Sequence, residues 1–436
     1  MKLRPWLTAT CSSADCTAAV DSTVPFTPPS SSNQRTSSDT ASTSTSMSSS
    51  PGTTTTASSS SIQSSLSLQT LPSVPSLQSL TLSPESLQLS VSHCSLTSLH
   101  LRGPHPITCL ATDGHLLYAA SSHIVDVYDA VTLAHLESFN AGGPSSGSVK
   151  SVGFSNGKVF TAHQDSKIRV WRLTESKQHR LVTALPTVND RVRRCILPKN
   201  YITVRRHKKL LWIEHADAVT GLAVHEGLVY SISWDKSLKI WSGPNLRCVE
   251  SVRAHHDAVN AVAVAGDGTV YTGSADRNIR VWAKPPGEKQ HGLVATLEKH
   301  RSAVNALALS SDGSVLFSGS CDRSILVWER EDSANHMVVT GALRGHDKAI
   351  LCLINVSDLL LSGSADRTVR IWRRGADGRF CCLAILEGHR KPVKSLVAVS
   401  DGKGPIHVFG GSLDGEIKVW QVSSSNLGSP SKWDCI

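Results

Sequence analysis

Apolar and polar residues alternate in short runs along most of this chain, and the runs recur in the same order. One such unit reads AVNALAL (303–309), then LFSGS (316–320), then SCDRSILVW (320–328). Alternation with a period of two indicates β-strands sandwiched in a sheet, and the Ser and Gly residues mark the end of the second strand. The pattern therefore predicts an all-β protein built from short strands.

The repeats are most regular where an aspartate precedes a tryptophan by six residues. Six such pairs occur, and a seventh, weaker copy has Ser122 and Tyr128 at the two positions. Successive aromatic positions lie 43, 70, 41, 46, 44 and 48 residues apart. Apart from the one long gap, this is the period of a four-stranded propeller blade. We therefore predict seven blades. The six pairs are Asp165/Trp171, Asp235/Trp241, Asp276/Trp282, Asp322/Trp328, Asp366/Trp372 and Asp414/Trp420.

A histidine stands 20 to 25 residues before five of these aspartates, and with it the repeats resemble WD40 repeats over residues 93–422. The resemblance implies a hydrogen-bonded His–Ser/Thr–Asp–Trp network inside each blade. Blades 3 to 6 contain full sets: His215, Ser231, Asp235 and Trp241; His255, Thr272, Asp276 and Trp282; His300, Ser318, Asp322 and Trp328; His346, Ser362, Asp366 and Trp372. Blade 7 has His389, Asp414 and Trp420 with Gly410 at the hydroxyl position, and blade 2 has Thr161, Asp165 and Trp171 with Ser145 in place of the histidine.

Serine, histidine and aspartate together could also form a hydrolase triad. Here the set recurs in several blades, whereas an enzyme needs only one catalytic site. We therefore interpret the set as part of the internal structure of each blade. Phosphate loops and metal-ligand spacings are absent from the sequence. We therefore expect a protein that is not an enzyme, with no catalytic residues, cofactor or metal.

The ends of the repeat region predict how the ring closes. The chain has no room for another apolar strand after Trp420, whereas CSLTSLHL (94–101) is an alternating strand that precedes blade 1. We predict that this strand completes blade 7 and removes the open edge. Residues 423–436 are then a short tail.

The first 92 residues differ in kind. Between residues 30 and 65, 25 of 36 positions are Ser or Thr. Such a segment buries too little apolar surface to offset its ordering entropy, so we predict a disordered tail. Possible phosphorylation sites are Ser50 and Ser83, each followed by proline, although an inert spacer is an alternative interpretation.

Positive charge is concentrated in the long gap, which we interpret as an insertion at about 187–212, between blades 2 and 3. Three basic and four acidic residues precede position 93, which leaves 41 basic and 31 acidic residues for the rest. The insertion could bind nucleic acid, an acidic peptide or a phosphoprotein, act as an import signal, or pack on the rim through Ile196, Leu197, Tyr201 and Ile202. Its basic residues are Arg191, Arg193, Arg194, Lys199, Arg205, Arg206, Lys208 and Lys209.

Loops at one end of a propeller usually bind partners, and here the residues beside the predicted network should lie at that end. We expect a partner-binding face formed by Gln164, Trp234, His256, Arg277, Arg301, Arg323, Arg367 and Arg390. Trp and Arg are frequent energetic anchors of interfaces. An arginine follows the aspartate in three consecutive blades, which favours an acidic or phosphorylated partner segment; packing of Trp234 on a neighbouring loop is the alternative.

The eleven cysteines include no CxxC pair, and their odd number argues against a disulfide framework or a zinc site. No apolar run reaches membrane-spanning length, and the N-terminus lacks the apolar core of a secretory signal. We expect a reducing compartment, cytoplasm or nucleus, with a plastid as a minor alternative.

The insertion and the tail together resemble the plant JINGUBANG group of WD40 proteins. The resemblance rests on LPTVNDR, PKNYITVRRHKKLLWIEHADAV and SWDKSLKIW in that order, and on LPSVPSLQSL (71–80) in the tail. It implies a non-enzymatic regulator that contacts other proteins, such as a transcription regulator, and restrains pollen germination. Two alternatives remain open. One is a substrate receptor of a cullin-type ubiquitin ligase, although the typical Trp-Asp-x-Arg is missing; the other is a nucleic-acid-associated factor, although sequence-specific binding is not favoured.

Overall fold

The structure is a computed structural model, and it describes residues 89–426 apart from 102, 104, 141–143, 289, 331–336, 376 and 401–403. Residues 1–88 of the predicted disordered tail lie outside the described residues.

Seven four-stranded antiparallel sheets follow one another along the described chain, as the repeats predict. Six sheets use four consecutive strands each. Blade 1 contains β2 (Ile107–Asp113), β3 (Leu116–Ser121), β4 (Ile124–Asp129) and β5 (His135–Asn140); blade 2 contains β6 (Val149–Ser155), β7 (Lys158–His163), β8 (Ile168–Leu173) and β9 (His179–Leu185); blade 3 contains β12 (Val219–His225), β13 (Leu228–Ser233), β14 (Ser237–Ser242) and β15 (Arg247–Arg253). Blade 4 contains β16 (Val259–Val264), β17 (Val270–Ser274), β18 (Ile279–Ala283) and β19 (Gly292–Leu297); blade 5 contains β20 (Val304–Leu309), β21 (Val315–Ser320), β22 (Ile325–Arg330) and β23 (Met337–Leu343); blade 6 contains β24 (Ile350–Val356), β25 (Leu359–Ser364), β26 (Val369–Arg374) and β27 (Phe380–Leu386).

The seventh sheet joins the two ends of the described chain. It has the order β1-β30-β29-β28, in which β1 (Leu89–His100) is the outer strand beside β30 (Glu416–Asn426), followed by β29 (Ile406–Ser412) and β28 (Val393–Val399). The predicted closure by an N-terminal strand is confirmed. Both strands exceed the expected bounds: β1 begins four residues before 93, and β30 ends four residues after 422. Mutual pairing extends them, because Leu89 lies opposite Asn426.

The hydrophobic core lies between blades. First strands of successive blades contact one another, and β2 contacts β28 to close the ring. One cluster joins Phe160, Ile168 and Val170 of blade 2 to Val219 and Trp241 of blade 3. Small residues at the end of the second strand allow this approach in every blade except blade 3, which has Ile232 there. In blade 5, a Cβ on Gly319 would lie 2.5 Å from Ile350 Cγ2 of the next blade.

The segment between blades 2 and 3 folds into a helix and a hairpin. Helix α1 (Val188–Cys195) is followed by a 3-10 turn (Pro198–Asn200) and by the hairpin of β10 (Tyr201–Arg205) and β11 (Lys208–Leu211). A second 3-10 turn spans Pro144–Ser146. None of the described helices is long and apolar enough to cross a membrane.

Candidate functional site

The His–Ser/Thr–Asp–Trp sets of blades 3 to 6 are each joined by hydrogen bonds. In blade 6, Trp372 Nε1 donates to Ser362 Oγ at 2.8 Å, Ser362 Oγ lies 2.8 Å from His346 Nε2, and His346 Nδ1 lies 2.7 Å from Asp366 Oδ2. The same contacts occur in blade 3 (His215, Ser231, Asp235, Trp241), blade 4 (His255, Thr272, Asp276, Trp282) and blade 5 (His300, Ser318, Asp322, Trp328).

The direction of the protons follows from the donors present. Because an ionised carboxylate only accepts hydrogen bonds, His346 Nδ1–H donates to Asp366. In the neutral imidazole Nε2 is then the acceptor, so the Ser362 hydroxyl, which accepts from the indole, donates its proton to Nε2. The backbone N–H of Asp347 also donates to Asp366 Oδ2. Burial alone would raise the pKa of the Asp366 carboxyl, but the hydrogen bonds from His346 and Thr368 outweigh it and hold the pKa well below its usual value.

These sets have the atom order of a hydrolase triad but not its accessibility. Ser231, Ser318 and Ser362 are fully buried, and each hydroxyl is already occupied by an indole N–H and an imidazole. A nucleophile must reach a substrate carbonyl, and these cannot. Their chemistry is internal: each set ties the loop before a blade to its second strand, its turn and its third strand.

Blade 2 departs from the expected set. Trp171 Nε1 donates to Thr161 Oγ1 at 2.9 Å, but the imidazole beside Thr161 belongs to His163, at 2.8 Å. Ser145, which we expected in place of the histidine, is exposed in the 3-10 turn, and Asp165 pairs with Arg169 at 2.8 Å. Burial lowers the pKa of His163 to about 3.

Blade 7 has glycine instead of the hydroxyl residue, and neighbouring side chains fill the space that a side chain would occupy. A Cβ on Gly410 would lie 2.7 Å from Trp420 Cζ3 and 3.1 Å from His389 Nε2. His389 Nδ1 lies 3.9 Å from Asp414 Oδ2, beyond hydrogen-bond distance, and both ring nitrogens are buried without a hydrogen-bond partner in the described part of the chain. The glycine is therefore part of the packing around Trp420.

His389, Asp414 and Glu416 place ligand atoms within 4.8 Å of one another and could in principle hold a metal ion. However, Lys418 Nζ lies 3.1 Å from Glu416 Oε1, and the backbone N–H groups of Arg390 and Glu416 donate to Asp414. The carboxylates already have cationic or N–H partners, so the arrangement fits an internal polar cluster better than a metal centre.

The loop residues predicted to form a partner-binding face are exposed, and several adopt a left-handed backbone. The residue after the turn aspartate has φ of 74° at Arg277, 70° at Arg323 and 78° at Arg367, whereas blade 7 has Gly415 there at φ 86°. Trp234 is 38% exposed. The remaining members, Gln164, His256, Arg301 and Arg390, are also exposed.

Part of the insertion's positive charge is used internally. Thr187 caps α1, and Asp190, which is buried, receives Arg194 Nε at 3.2 Å and the N–H of Cys248 in blade 3 at 3.4 Å. The Arg194 guanidinium lies 4.5 Å from the centre of the Trp212 ring. Arg191 pairs with Glu214 at 3.1 Å.

The remaining basic residues of the insertion face solvent. These are Arg193, Lys199, Arg206, Lys208 and Lys209, while Arg205 ends β10. The apolar residues Ile196, Leu197, Tyr201 and Ile202 are exposed, at 78%, 46%, 38% and 43%. The insertion is held to the propeller by other residues: Asp190 and Arg194 contact blade 3, and Leu211 and Trp212 pack in the core between blades 2 and 3.

Comparison with known families identifies the repeats. The profile "WD domain, G-beta repeat" matches residues 246–283, 292–329, 337–373 and 380–421, which cover strands of blades 3 to 7. With seven blades and four complete His–Ser/Thr–Asp–Trp sets, the chain is a β-propeller that contains WD40 repeats.

Curated relatives are similar over only part of this chain. Pre-mRNA-processing factor 19 of Bos taurus is 28% identical over 126 residues, 28% of this chain and 24% of the relative. Myosin heavy chain kinase C of Dictyostelium discoideum is 24% identical over 36% of this chain and 16% of its own length. Zinc finger CCCH domain-containing protein 17 of Oryza sativa subsp. japonica is 24% identical over 35% of this chain and 28% of its own length. The chain thus spans between 16% and 28% of the length of these relatives.

Proposed function

We propose that this chain is a non-catalytic interaction scaffold that binds partner proteins through the loop end of the propeller. The observation that carries the proposal is the series of exposed arginines at left-handed positions, Arg277, Arg323 and Arg367, in three consecutive blades. A left-handed backbone costs a non-glycine residue roughly 1–2 kcal/mol. Gly415 avoids that cost in blade 7, whereas Ser166 and Lys236 occupy the same left-handed position in blades 2 and 3. The conformation therefore belongs to the turn, and what supports the proposal is the exposed positive charge at this position in three consecutive blades.

The partner favoured by this face is an acidic or phosphorylated segment. Arginine presents a planar set of donors that matches carboxylate and phosphate oxygens in pairs. Trp234, exposed in blade 3 next to the first of these blades, adds the flat apolar surface on which interface anchors are usually built.

The test is quantitative proximity labelling in the native tissue with the full chain and with the double variant Trp234→Ala/Arg323→Glu. The matched control is Leu293→Ala/Arg379→Glu, which changes an exposed apolar and an exposed basic residue away from the loop end. We expect partners lost by the first variant and retained by the second. An identical set of labelled proteins for all three chains would refute the assignment of this face.

The finer role in the proposal is the one implied by the resemblance to the JINGUBANG group: a plant regulator, in cytoplasm or nucleus, that restrains pollen germination. The order of the insertion segments supports it. Pollen that lacks the chain should then germinate more readily, and germination restored by the wild type but not by the Trp234→Ala/Arg323→Glu variant would link the role to this face. Unchanged germination would remove the role and leave the scaffold proposal intact.

A second candidate is a factor associated with RNA. The match to a relative named for pre-mRNA processing and the exposed basic residues of the insertion favour it. A scaffold for proteins should bind single-stranded RNA weakly, whereas an RNA factor should bind it with an affinity that falls steeply with salt and with loss of Lys208 and Lys209. Titration of a labelled RNA at several salt concentrations distinguishes the two.

A further inference from the structure

Helix α1 has its apolar side turned to solvent. Val188, Val192 and Ile196 follow one another at intervals of four, which places them on one side of the helix and its C-terminal cap, and they are 74%, 58% and 78% exposed. The opposite side holds Asp190 and Arg194, which contact blade 3. An ordinary surface helix has the reverse orientation.

The exposed apolar surface continues beyond the helix. Tyr201 Oη donates to the Cys195 carbonyl at 3.1 Å, which fixes the start of the hairpin beside the end of α1. Of the 18 large hydrophobic residues exposed in the described chain, eight lie between positions 181 and 202. Such clustering distinguishes an interaction surface from scattered exposed residues. The eight are Leu181, Val182, Val188, Val192, Ile196, Leu197, Tyr201 and Ile202.

The surface is held in place rather than loosely attached. Lys239, a buried residue of blade 3, donates to the Trp212 carbonyl at 2.5 Å, and Arg194 stacks on the Trp212 ring. Asn200 Nδ2 donates to the Arg194 carbonyl at 2.8 Å and so ties the 3-10 turn to the helix. A partner therefore meets a prearranged surface and loses little ordering entropy on binding.

Charge indicates what kind of partner fits. Asp190 is the only acidic residue between positions 188 and 211 and is buried, whereas eight residues in that range are Lys or Arg. We propose that the insertion surface, defined as Val188, Val192, Ile196 and Tyr201 with the basic residues Arg193, Lys199, Lys208 and Lys209 around them, binds an acidic amphipathic helix of a partner protein. The residues of this surface differ from those of the loop end proposed above, although Lys208 also lines a small cavity with Ser166 and Lys167 at the turn of blade 2.

Two other occupants fit less well. A second copy would bring the same basic residues together, and like charges at an interface oppose association. Helices that bind membranes at the interface present Trp, Phe or Leu from one side and Lys or Arg from the other. In α1 the side opposite the valines is bound to blade 3, and the exposed residues are Val and Ile.

The test uses a phage-displayed library of helical peptides selected against the full chain, with the Val192→Asp/Ile196→Asp protein as counter-selection. We expect enriched peptides to be acidic and to have apolar residues at intervals of three and four. A consensus peptide, followed by fluorescence anisotropy, should bind the Val192→Asp/Ile196→Asp and Lys208→Glu/Lys209→Glu proteins at least about tenfold more weakly.

Two controls separate this surface from the rest of the molecule. Leu293→Asp/Val294→Asp, at positions of β19 that are 49% and 47% exposed, and Trp234→Ala/Arg323→Glu at the loop end should each leave the peptide affinity unchanged. If no peptide remains after the counter-selection, or if the enriched peptides are not acidic, the proposal is overturned. The proposal would also be overturned if the chain bound phosphatidylserine vesicles but no peptide. The same holds if light scattering showed a dimer that the Val192→Asp/Ile196→Asp substitutions dissociate.

Discussion

Blades 6 and 7 present the same tryptophan in two different environments. In blade 6 the Trp372 indole N–H donates to Ser362, which continues to His346 and Asp366. In blade 7 the corresponding hydroxyl is missing, and the Trp420 ring lies against the Gly410 backbone instead. Both indoles are almost fully buried, at 1% and 2% exposure.

The difference shows that the polar network is one of two ways to fix a blade. Blade 6 depends on hydrogen bonds among side chains and leaves no buried group unpaired in its set. Blade 7 keeps an imperfect His389–Asp414 contact, at 3.9 Å, but gains a twelve-residue strand from the other end of the described chain. We therefore expect blade 7 to depend on strand pairing and close packing, and blade 6 on its hydroxyl.

The largest effect should come from removing β1. Deletion of residues 1–100 removes every backbone partner on the outer side of β30 and the contacts of Val91 and Leu99 with the core. We expect the cooperative thermal transition, followed by circular dichroism, to be lost. Deletion of residues 1–88 is the matched control and should leave the transition in place. Equal melting temperatures for the two shortened chains would show that the closure strand is dispensable.

Replacing the hydroxyl of blade 6 should have the next largest effect. Ser362→Ala leaves the Trp372 N–H and His346 Nε2 without their shared partner, which should lower the free energy of unfolding by about 3 kcal/mol. Denaturant titration measures it. Ser362→Thr, the residue type that blade 4 uses at Thr272, should restore most of the loss. If Ser362→Ala lowers the free energy of unfolding by only a few tenths of a kcal/mol, a water molecule has replaced the hydroxyl.

Adding the missing hydroxyl to blade 7 should destabilise rather than repair it. The Cβ of Gly410→Ser would meet Trp420 Cζ3 at 2.7 Å, and we expect a loss of about 2 kcal/mol in the free energy of unfolding. Gly404→Ser, at an exposed position with no atom within 4 Å of the new Cβ, is the control and should be neutral. A gain in stability for Gly410→Ser would show that blade 7 is merely an incomplete copy of blade 6.

Blade 2 extends the comparison to pH. Because burial lowers the pKa of His163 to about 3, the unfolded chain binds a proton near pH 6.5 that the folded chain does not. The contribution of the neutral His163 to the free energy of unfolding should therefore be fully present above pH 6.5 and should decrease as the pH falls towards 3. Between pH 7.5 and 5.5 the loss from this residue should be about 1 kcal/mol.

The measurement is the difference in unfolding free energy between the two pH values for the wild type and for His163→Gln. The variant should show a difference smaller by that amount. His256→Gln, at an exposed position, should match the wild type. His215 and His389, whose pKa values are also lowered by burial, contribute to the pH dependence in the same direction.

The sequence predicted the fold well because each blade repeats the same spacing between residues that pack together. It placed the members of the network in blades 3 to 6 for the same reason. His163 was missed, although it occupies the position of Ser364 in blade 6, two residues before the turn aspartate, and lies on the same side of its strand as Thr161.

The orientation of α1 could not be predicted from its apolar spacing. Val188, Val192 and Ile196 would normally be assigned to the buried side of a helix. The decisive contacts are instead polar and long-range: Asp190 receives the N–H of Cys248, which is 58 residues away in the chain. The local sequence of α1 cannot reveal this contact, because the contact depends on the position of the outer strand of blade 3 in the folded protein.

The smallest effect on stability should come from the turn at which blade 6 has Arg367 and blade 7 has Gly415. It tests whether the arginine serves the fold or a partner. Arg367 and Gly415 occupy equivalent left-handed positions, so Arg367→Gly should relieve backbone strain and change the free energy of unfolding by no more than about 0.5 kcal/mol, because the glycine also gains freedom in the unfolded chain. Partner capture should nevertheless weaken if the arginines bind. Gly415→Arg is the reciprocal change: since a Cβ there would lie 2.9 Å from the His105 carbonyl, it should cost stability. If Arg367→Gly keeps full partner capture, the arginine at this turn has no binding role.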